Sequence, residues 1–285
     1  MSNIHWYPGH MKRAMRELLA KLKLVDFVIE LRDARALISS ANDDFLKVHA
    51  LQIKRIVVIT KADLANEDET KKWEEYYKQE RENYLILNLL KEHDIQKLIK
   101  EINKLHYNKV KSDVKKGMLP QPIRLMIIGM PNVGKSTLIN KLSKKKSAQT
   151  EKRPGKTKAQ QWIKVNQQFE LLDTPGILPT KYDMKQQAIN LALLGMIKEQ
   201  ILPKENLALE IIAYFRENEA TRFLQFYKVG ETIFEKTNEE ILHHLASLGS
   251  LQKGGLINLD RLSTQLLSHF RQGKFGPVTL EKVSL

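Results

Sequence analysis

Short apolar runs separated by amphipathic stretches fill the first 180 residues of the chain. The apolar runs predict strands at residues 25–31, 56–59, 84–87, 125–128, 162–165 and 169–172. Apolar side chains at helical spacing predict helices at residues 11–23, 42–50, 67–82, 95–105 and 138–142. Strands that alternate with helices are typical of a mostly parallel sheet flanked by helices. The fold class expected for this part is therefore α/β.

The pattern changes at about residue 184, after which only helical spacing is found. It predicts helices at residues 184–201, 205–216, 219–228, 238–248 and 260–271. A polar stretch with Gly and Pro at 106–122 indicates a connector within the first part. We therefore predict a domain at 1–180, beginning with a basic segment at 1–23, and an all-α domain at 181–285.

The strand at 125–128 leads into a phosphate-binding loop. Gly129 and Gly134-Lys135-Ser136 follow it at the spacing G-x-x-x-x-G-K-S, with a helix beyond. This turn points successive backbone N–H groups at one spot, where the helix dipole also favours an anion. Lysine supplies charge to the β and γ phosphates, and the serine hydroxyl is a magnesium ligand. The residues expected to contact a nucleoside triphosphate here are Asn132, Val133, Gly134, Lys135, Ser136 and Thr137.

The four residues after the predicted strand at 56–59 indicate which base the nucleotide carries. The sequence Thr60-Lys61-Ala62-Asp63 resembles the guanine motif NKxD, in which the carboxylate accepts two hydrogen bonds from guanine. Adenine lacks that pair of donors, so Asp63 selects GTP. Thr60 replaces the usual Asn, so one base contact or loop brace is expected to be altered. Asn88-Leu89 is the candidate for the backbone contact to the guanine carbonyl. Taken alone, the motif is also compatible with a helix N-cap.

Two further positions complete a magnesium and γ-phosphate site. Asp173 lies at a predicted strand end, where its carboxylate holds magnesium through water and the N–H of Gly176 meets the γ-phosphate. Thr157 lies in the polar loop after the phosphate-loop helix, the place of a switch threonine. The magnesium set is therefore Ser136, Thr157 and Asp173. Asp-x-x-Gly alone is common in turns, and the combination of motifs on matching strand ends carries the prediction.

The motifs stand in an unusual order. In Ras-like GTPases the guanine motif follows the phosphate loop, whereas here Lys61 precedes Lys135 by 74 residues. The expected fold is therefore a circularly permuted Ras-like P-loop GTPase domain followed by the all-α C-terminal domain.

Charge and composition narrow the class of partner. The net charge is +14, and residues 101–158 hold 15 Lys and Arg against 3 Asp and Glu. Such a basic stretch beside a nucleotide site favours nucleic acid as a partner over a membrane. The chain has no Cys, no apolar run of the about 20 residues that a membrane helix needs, and no secretory signal. A cytoplasmic location is expected, while Lys12, Arg13 and Arg16, with little acid beside them, leave organelle targeting as an alternative.

The sequence resembles the YlqF/RbgA family of ribosome biogenesis GTPases over essentially its whole length. The resemblance is carried by the permuted order and by residues 6–11, 33–35, 129–136 and 173–178, with Gly254-Gly255 and residues 270–276 near the end. It implies a GTPase that binds a late precursor of the large ribosomal subunit, is stimulated by it and leaves after hydrolysis. The partners would be ribosomal RNA and ribosomal proteins, and we expect a monomer off the ribosome.

The resemblance also implies a catalytic residue. Ras-like enzymes orient the attacking water with a Gln after Asp-x-x-Gly, but Ile177 occupies that position here. The family assigns the role to the histidine of Pro-Gly-His-Met, which is His10, although a surface or RNA-contacting role stays open. Asn132 resembles an asparagine that helps to hold a potassium ion in related GTPases; a loop-stabilising amide is the alternative.

Two other functions were weighed against a ribosome-assembly GTPase. The first is a GTP-dependent RNA- or protein-binding regulator with negligible intrinsic hydrolysis, since the switch Gln is missing. The second, an ATP-dependent RNA-remodelling enzyme, is disfavoured by Asp63 and by the absence of helicase-like motifs.

Overall fold

The computed structural model describes residues 21–41, 54–119, 121–143, 162–165, 168–172, 185–197, 202–248, 252–253 and 256–283. Contacts divide the chain into two units, Met1–Tyr182 with Glu281–Leu285, and Asp183–Leu280. The predicted second domain, 181–285, includes the last five residues, which the contacts group with the first unit.

The first unit is built on a six-stranded sheet. Its strands are β1 (Phe27–Asp33), β2 (Lys54–Thr60), β3 (Tyr84–Leu87), β4 (Ile123–Gly129), β5 (Trp162–Lys164) and β6 (Phe169–Leu172). Their spatial order is β3-β2-β1-β4-β6-β5, and every neighbouring pair is parallel except β5 with β6. The near-continuous apolar character of β2 and β4 agrees with burial on both faces of the sheet. The predicted mostly parallel sheet is confirmed.

The register of the sheet brings the separate motifs to one edge. Asp33 at the end of β1 lies opposite Thr60 at the end of β2, and Leu31 lies opposite Gly129 at the end of β4. Because parallel strands end at the same edge, the loops after β1, β2 and β4 meet there. The permutation therefore changes the order of the strands in the chain without separating these strand ends in space.

Three helices and one 3₁₀ turn join these strands in the described part. The turn is Ala62–Leu64, and the helices are α1 (Glu67–Gln79), α2 (Glu92–Lys115) and α3 (Lys135–Ser143). Asn66 caps α1, because its side-chain oxygen accepts hydrogen bonds from the N–H groups of Asp68 and Glu69. The predicted connector at 106–122 is wrong over its first ten residues, since α2 continues to Lys115. The predicted helix at 42–50 and most of that at 11–23 lie outside the described residues.

The second unit is mainly helical. Its helices are α4 (Lys185–Leu193), α5 (Lys204–Asn218), α6 (Ala220–Tyr227), α7 (Asn238–Leu248) and α8 (Leu259–Arg271), with a 3₁₀ turn at Glu231–Glu235. Its core includes the packed rings of Phe215, Phe223, Phe270 and Phe275. The prediction of helices only is incomplete, because β7 (Gln252–Lys253) and β8 (Leu256–Ile257) form a short antiparallel pair.

The first helix of this unit is shorter than the predicted 184–201. It ends at Leu193, where the Arg271 guanidinium donates from Nε to the carbonyl of Leu193 at 3.0 Å and from Nη2 to that of Ala192 at 2.8 Å. Gly195 follows in a left-handed conformation (φ 68°). Among the described residues, no helix combines the length and the apolar character that crossing a membrane requires.

Candidate nucleotide-binding site

The loop between β4 and α3 has the backbone geometry of a phosphate-binding loop. Gly129 has φ 147°, and a Cβ added there would lie 2.7 Å from the carbonyl oxygen of Leu31 on the neighbouring strand. Asn132 and Gly134 also have positive φ values, 59° and 115°. Glycine avoids the steric cost of such conformations, so the two glycines let the chain turn sharply from strand into helix. The loop therefore follows the predicted strand-turn-helix path.

Lys135, at the start of α3, folds back over this loop. Its ammonium donates to the carbonyls of Gly129 at 2.9 Å and Met130 at 2.6 Å. Burial lowers the pKa of Lys135 to about 8. Ser136 and Thr137, the next two residues, are exposed. An ammonium at the mouth of a loop is suited to meet an incoming phosphate, whose negative charge would offset the cost of burying the cation.

Thr60 links the guanine motif directly to the phosphate loop. Its hydroxyl oxygen lies 2.8 Å from the carbonyl oxygen of Val133 and 3.1 Å from that of Arg32. Thr60 and Val133 are both buried. Thr60 therefore braces the guanine motif against the phosphate loop.

Lys61 makes a second link between these loops. It has a left-handed backbone conformation (φ 57°), and its ammonium donates to the carbonyl of Asn132 at 2.7 Å. The same ammonium lies 3.0 Å from Oδ2 of Asp33. Ala62 and Asp63 follow in the 3₁₀ turn, where the Asp63 side chain is exposed. The motif thus presents its carboxylate to solvent while its lysine is fixed against the phosphate loop.

Asp33 is a residue of this site to which the sequence reasoning gave no role. Its carboxylate accepts from the backbone N–H of Arg35 at 3.1 Å and from Nε and Nη2 of the same residue at 2.9 Å each. Both side chains are buried. Burial alone would raise the pKa of Asp33, but the hydrogen bonds and charge of Arg35 and the charge of Lys61 lower it below its ordinary value. The signals available in the sequence were its place just after the predicted strand at 25–31 and its membership of the motif at 33–35.

The third loop of the site follows β3. The N–H of Asn88 donates to Oδ2 of Asp94 at 2.9 Å, and Oδ1 of Asn88 accepts from the N–H of Leu90 at 2.9 Å. Leu89 is buried, and its Cδ1 lies 2.9 Å from the position that a Cβ on Gly134 would take. The structure therefore brings Asn88-Leu89 to the phosphate loop.

The remaining predicted residues lie outside the described part of the chain. These are His10, Thr157, Asp173 and Gly176. Of the predicted magnesium ligands only Ser136 is described, at the N-terminus of α3, where a hydroxyl oxygen suits that ion. In the described ranges, no group of three or more His, Asp or Glu side chains is arranged to hold a metal ion. The roles of all these residues stay predictions, as does that of Asn132 toward potassium.

Comparison with known proteins identifies the family. The profile of a family described as "50S ribosome-binding GTPase" matches residues 124–228, starting at the phosphate-loop strand. Ribosome biogenesis GTPase A of Bacillus pumilus is 41% identical over 283 residues, 98% of each chain, and that of Thermotoga maritima is 31% identical, over 97% of this chain and 94% of the relative.

Solved structures agree with these relatives. The GDP-bound structure of TM YlqF is 25% identical, with a TM-score of 0.68 over 94% of this chain and 99% of the other. The GNP-bound YlqF of T. maritima is 26% identical, with a TM-score of 0.64 over 95% and 98%. The chain is thus a GTP hydrolase with a circularly permuted P-loop domain, and it belongs to the ribosome biogenesis GTPase A family.

Proposed function

We propose that this protein binds a precursor of the large ribosomal subunit, promotes its late assembly and hydrolyses GTP on that particle. The observation that carries the proposal is the direct contact of the guanine motif with the phosphate loop, through Thr60 to Val133 and Lys61 to Asn132. These contacts supply a GTP site in a chain whose relatives are called ribosome biogenesis GTPases. The family description "50S ribosome-binding" favours the large subunit.

The surface charge of α2 supports ribosomal RNA as the partner. The helix is long, and its second half and the residue after it carry several exposed lysines: Lys104, Lys111, Lys115 and Lys116. Lysines along one helix neutralise phosphates of a nucleic acid backbone and release its counterions. Binding to the particle should therefore weaken steeply as salt is raised.

Within the site we assign each residue one role. Asp63 accepts hydrogen bonds from the guanine edge. Of the pair Asn88-Leu89, the N–H of Leu89 meets the guanine carbonyl, because the N–H of Asn88 already donates to Asp94. Lys135 and the N–H groups from Asn132 to Thr137 hold the phosphates, and Gly176 meets the γ-phosphate. Ser136, Thr157 and Asp173 would hold magnesium, which when bound neutralises charge on the β and γ phosphates.

We assign the orientation of the attacking water to His10, because the side chain of Ile177 has no hydrogen-bonding group. A histidine is suited to the role, since it can accept a proton from water or donate one near neutral pH. His10→Ala should lower particle-stimulated turnover and leave GTP affinity nearly unchanged. A loss of both together would contradict the assignment. Asn132 would help to hold potassium, and turnover compared in potassium and sodium tests that role.

The central experiment is co-sedimentation with immature and mature large subunits in GDP and in a non-hydrolysable GTP analogue. We expect binding to immature particles with the analogue, release with GDP, and GTP turnover stimulated by the particles. Nucleotide-dependent binding without stimulated turnover would favour the regulator with negligible hydrolysis. Equal binding in both nucleotides would contradict the proposal. The proposed role places the chain in the cytoplasm, as a monomer when off the ribosome.

The base assignment has a separate test in Asp63→Asn. The change should weaken GDP binding and leave ADP binding as it was, because only guanine offers the donor pair. Asp68→Asn is the matched control, an exposed aspartate five residues further on at the start of α1. Unchanged GDP affinity in Asp63→Asn would contradict the assignment of Asp63 to the guanine base.

A further inference from the structure

The C-terminal tail, residues 281–283, is fixed to the first unit by specific hydrogen bonds. The carboxylate of Glu281 accepts from the N–H of Ile38 at 2.6 Å and from the N–H of Ser39 at 3.0 Å, and it also accepts from the Ser39 hydroxyl. The backbone carbonyl of Glu281 accepts from Nε1–H of Trp73 at 3.0 Å. Val283 packs against the cluster that contains Trp73. Residues 281–283 thus make both polar and apolar contacts with the rest of the first unit.

The segment that Glu281 binds is the turn after β1, residues 34–40, here called the β1 turn. The N–H of Asp33 donates to the hydroxyl of Ser40 at 3.0 Å, and the N–H of Ser40 donates to the carbonyl of Ala36 at 2.9 Å. The N–H of Ala34 donates to the carbonyl of Thr60 at 2.9 Å. The turn therefore joins Glu281 at one side to Asp33 and the guanine motif at the other.

We propose that Glu281 is a positioning residue for the guanine site. It fixes the β1 turn, and the β1 turn holds Asp33 where its carboxylate binds Lys61. This inference rests on the guanine-binding role proposed above for the motif at residues 60–63.

The physical argument concerns what keeps Lys61 in place. Lys61 has a left-handed backbone, which is unfavourable for a residue with a Cβ and persists only when its surroundings hold it. One contact that holds it is the 3.0 Å ion pair with Asp33. The position of Asp33 depends in turn on the β1 turn, through Ser40 and Arg35. Loss of the turn's hydrogen bonds should therefore loosen Lys61, which lies two residues before Asp63 in the guanine motif.

The strength of the Glu281 contact makes it effective in this role. A carboxylate that accepts several N–H and O–H donors forms charge-assisted hydrogen bonds, which are about twice as strong as neutral ones. The donors are adjacent backbone groups of a single turn, so the contact restrains backbone as well as side chains. Because coupling between two sites is reciprocal, bound GDP should also stabilise the Glu281 contact.

The test compares GDP and ADP affinities of the full chain carrying Glu281→Ala, Glu281→Gln or the control Glu75→Gln. Glu75 is an exposed glutamate on α1 of the same unit. We expect Glu281→Ala to lower the preference for GDP over ADP about fivefold, the small end of measured coupling between sites. Glu281→Gln, which keeps an acceptor oxygen, should lie between wild type and Glu281→Ala. A general loss of structure would weaken both nucleotides alike and leave the preference unchanged, which would overturn the proposal.

A second measurement needs no variant. Amide hydrogen exchange at Ile38 and Ser39 should slow when GDP is added to the wild-type chain, and equal exchange with and without GDP would overturn the proposal. The Asp63→Asn experiment separates this inference from the proposed function. If Asp63→Asn abolishes the preference for GDP and Glu281→Ala does not change it, the positioning role fails alone. If Asp63→Asn does not change the preference for GDP, the proposed guanine-binding role of residues 60–63 is wrong.

Discussion

Asp33→Asn is the substitution that tests the buried centre of the site most directly. The asparagine has nearly the same shape but no charge, so the Arg35 guanidinium keeps its place and loses its ion pair with Asp33. The two side chains are 0% and 1% exposed, so water cannot take over from the carboxylate. Breaking a buried ion pair by removing one partner costs about 3–5 kcal/mol. For a domain of this size that corresponds to a fall in melting temperature of about 6–20 °C.

The assay is thermal unfolding at pH 7 without nucleotide, followed by circular dichroism. Asp68→Asn, at an exposed site, should change the free energy of unfolding by no more than about 0.5 kcal/mol. Adding Arg35→Met to Asp33→Asn should cost less than the sum of the single changes, because both changes remove the same ion pair. A cost below about 1 kcal/mol for Asp33→Asn, or full additivity, would refute the reasoning.

The same pair sets a dependence on pH. The pKa of Asp33 is lower in the folded chain than in the unfolded chain, so its contribution to stability is present above the unfolded value of about 3.9. The contribution is lost as the pH falls through the lower, folded pKa. The difference in stability between wild type and Asp33→Asn should therefore be constant from about pH 5 to 8 and shrink in acid.

Three further predictions concern the loops around the phosphates. Thr60→Val removes the hydroxyl that reaches the carbonyl of Val133 and should cost about 1 kcal/mol of unfolding free energy, measured by urea denaturation; no change would mean that the brace is unimportant. Gly129→Ala places a Cβ 2.7 Å from the backbone oxygen of Leu31 and should destabilise by about 1–3 kcal/mol and reduce GDP binding; a stable variant with normal affinity would contradict the geometry. Lys135 has a pKa of about 8 that bound phosphate should raise, so GDP binding near pH 8 should take up protons, seen as a buffer-dependent enthalpy in calorimetry and absent in Lys135→Met. Binding should weaken as the pH rises above 8.

The sequence predicted the sheet well because its strands are short apolar runs, and β2 and β4 each end in a recognisable motif. It could not assign a role to Asp33, whose partner Lys61 lies across the register of two parallel strands rather than at a fixed spacing. Nor could it tell that the hydroxyl of Thr60 reaches the phosphate loop, since that depends on the distance to the carbonyl of Val133.

The errors in secondary structure have a common physical origin. Residues 106–115 are mainly polar, a composition typical of connectors as well as of exposed helices. In the structure they form the second half of α2, where most of the described side chains are exposed. The helix ends at Lys115, shortly before Gly117 and its left-handed backbone, so Gly117 and not the start of the polar stretch marks the end of the helix. Gly254-Gly255, which lies between β7 and β8 in the sequence, is a dipeptide typical of hairpins. Strands of two residues, however, are too short to show a periodic pattern.

The place of β4 beside β1 has a consequence for how this sheet is made. A nascent chain emerges N-terminal end first, so β1, β2 and β3 are all synthesised before β4. During that interval one edge of β1 has no strand to pair with, and an unpaired edge is open to association with other chains. The growing polypeptide carries that open edge until β4 is made, and the long helix α2, translated between β3 and β4, extends this interval.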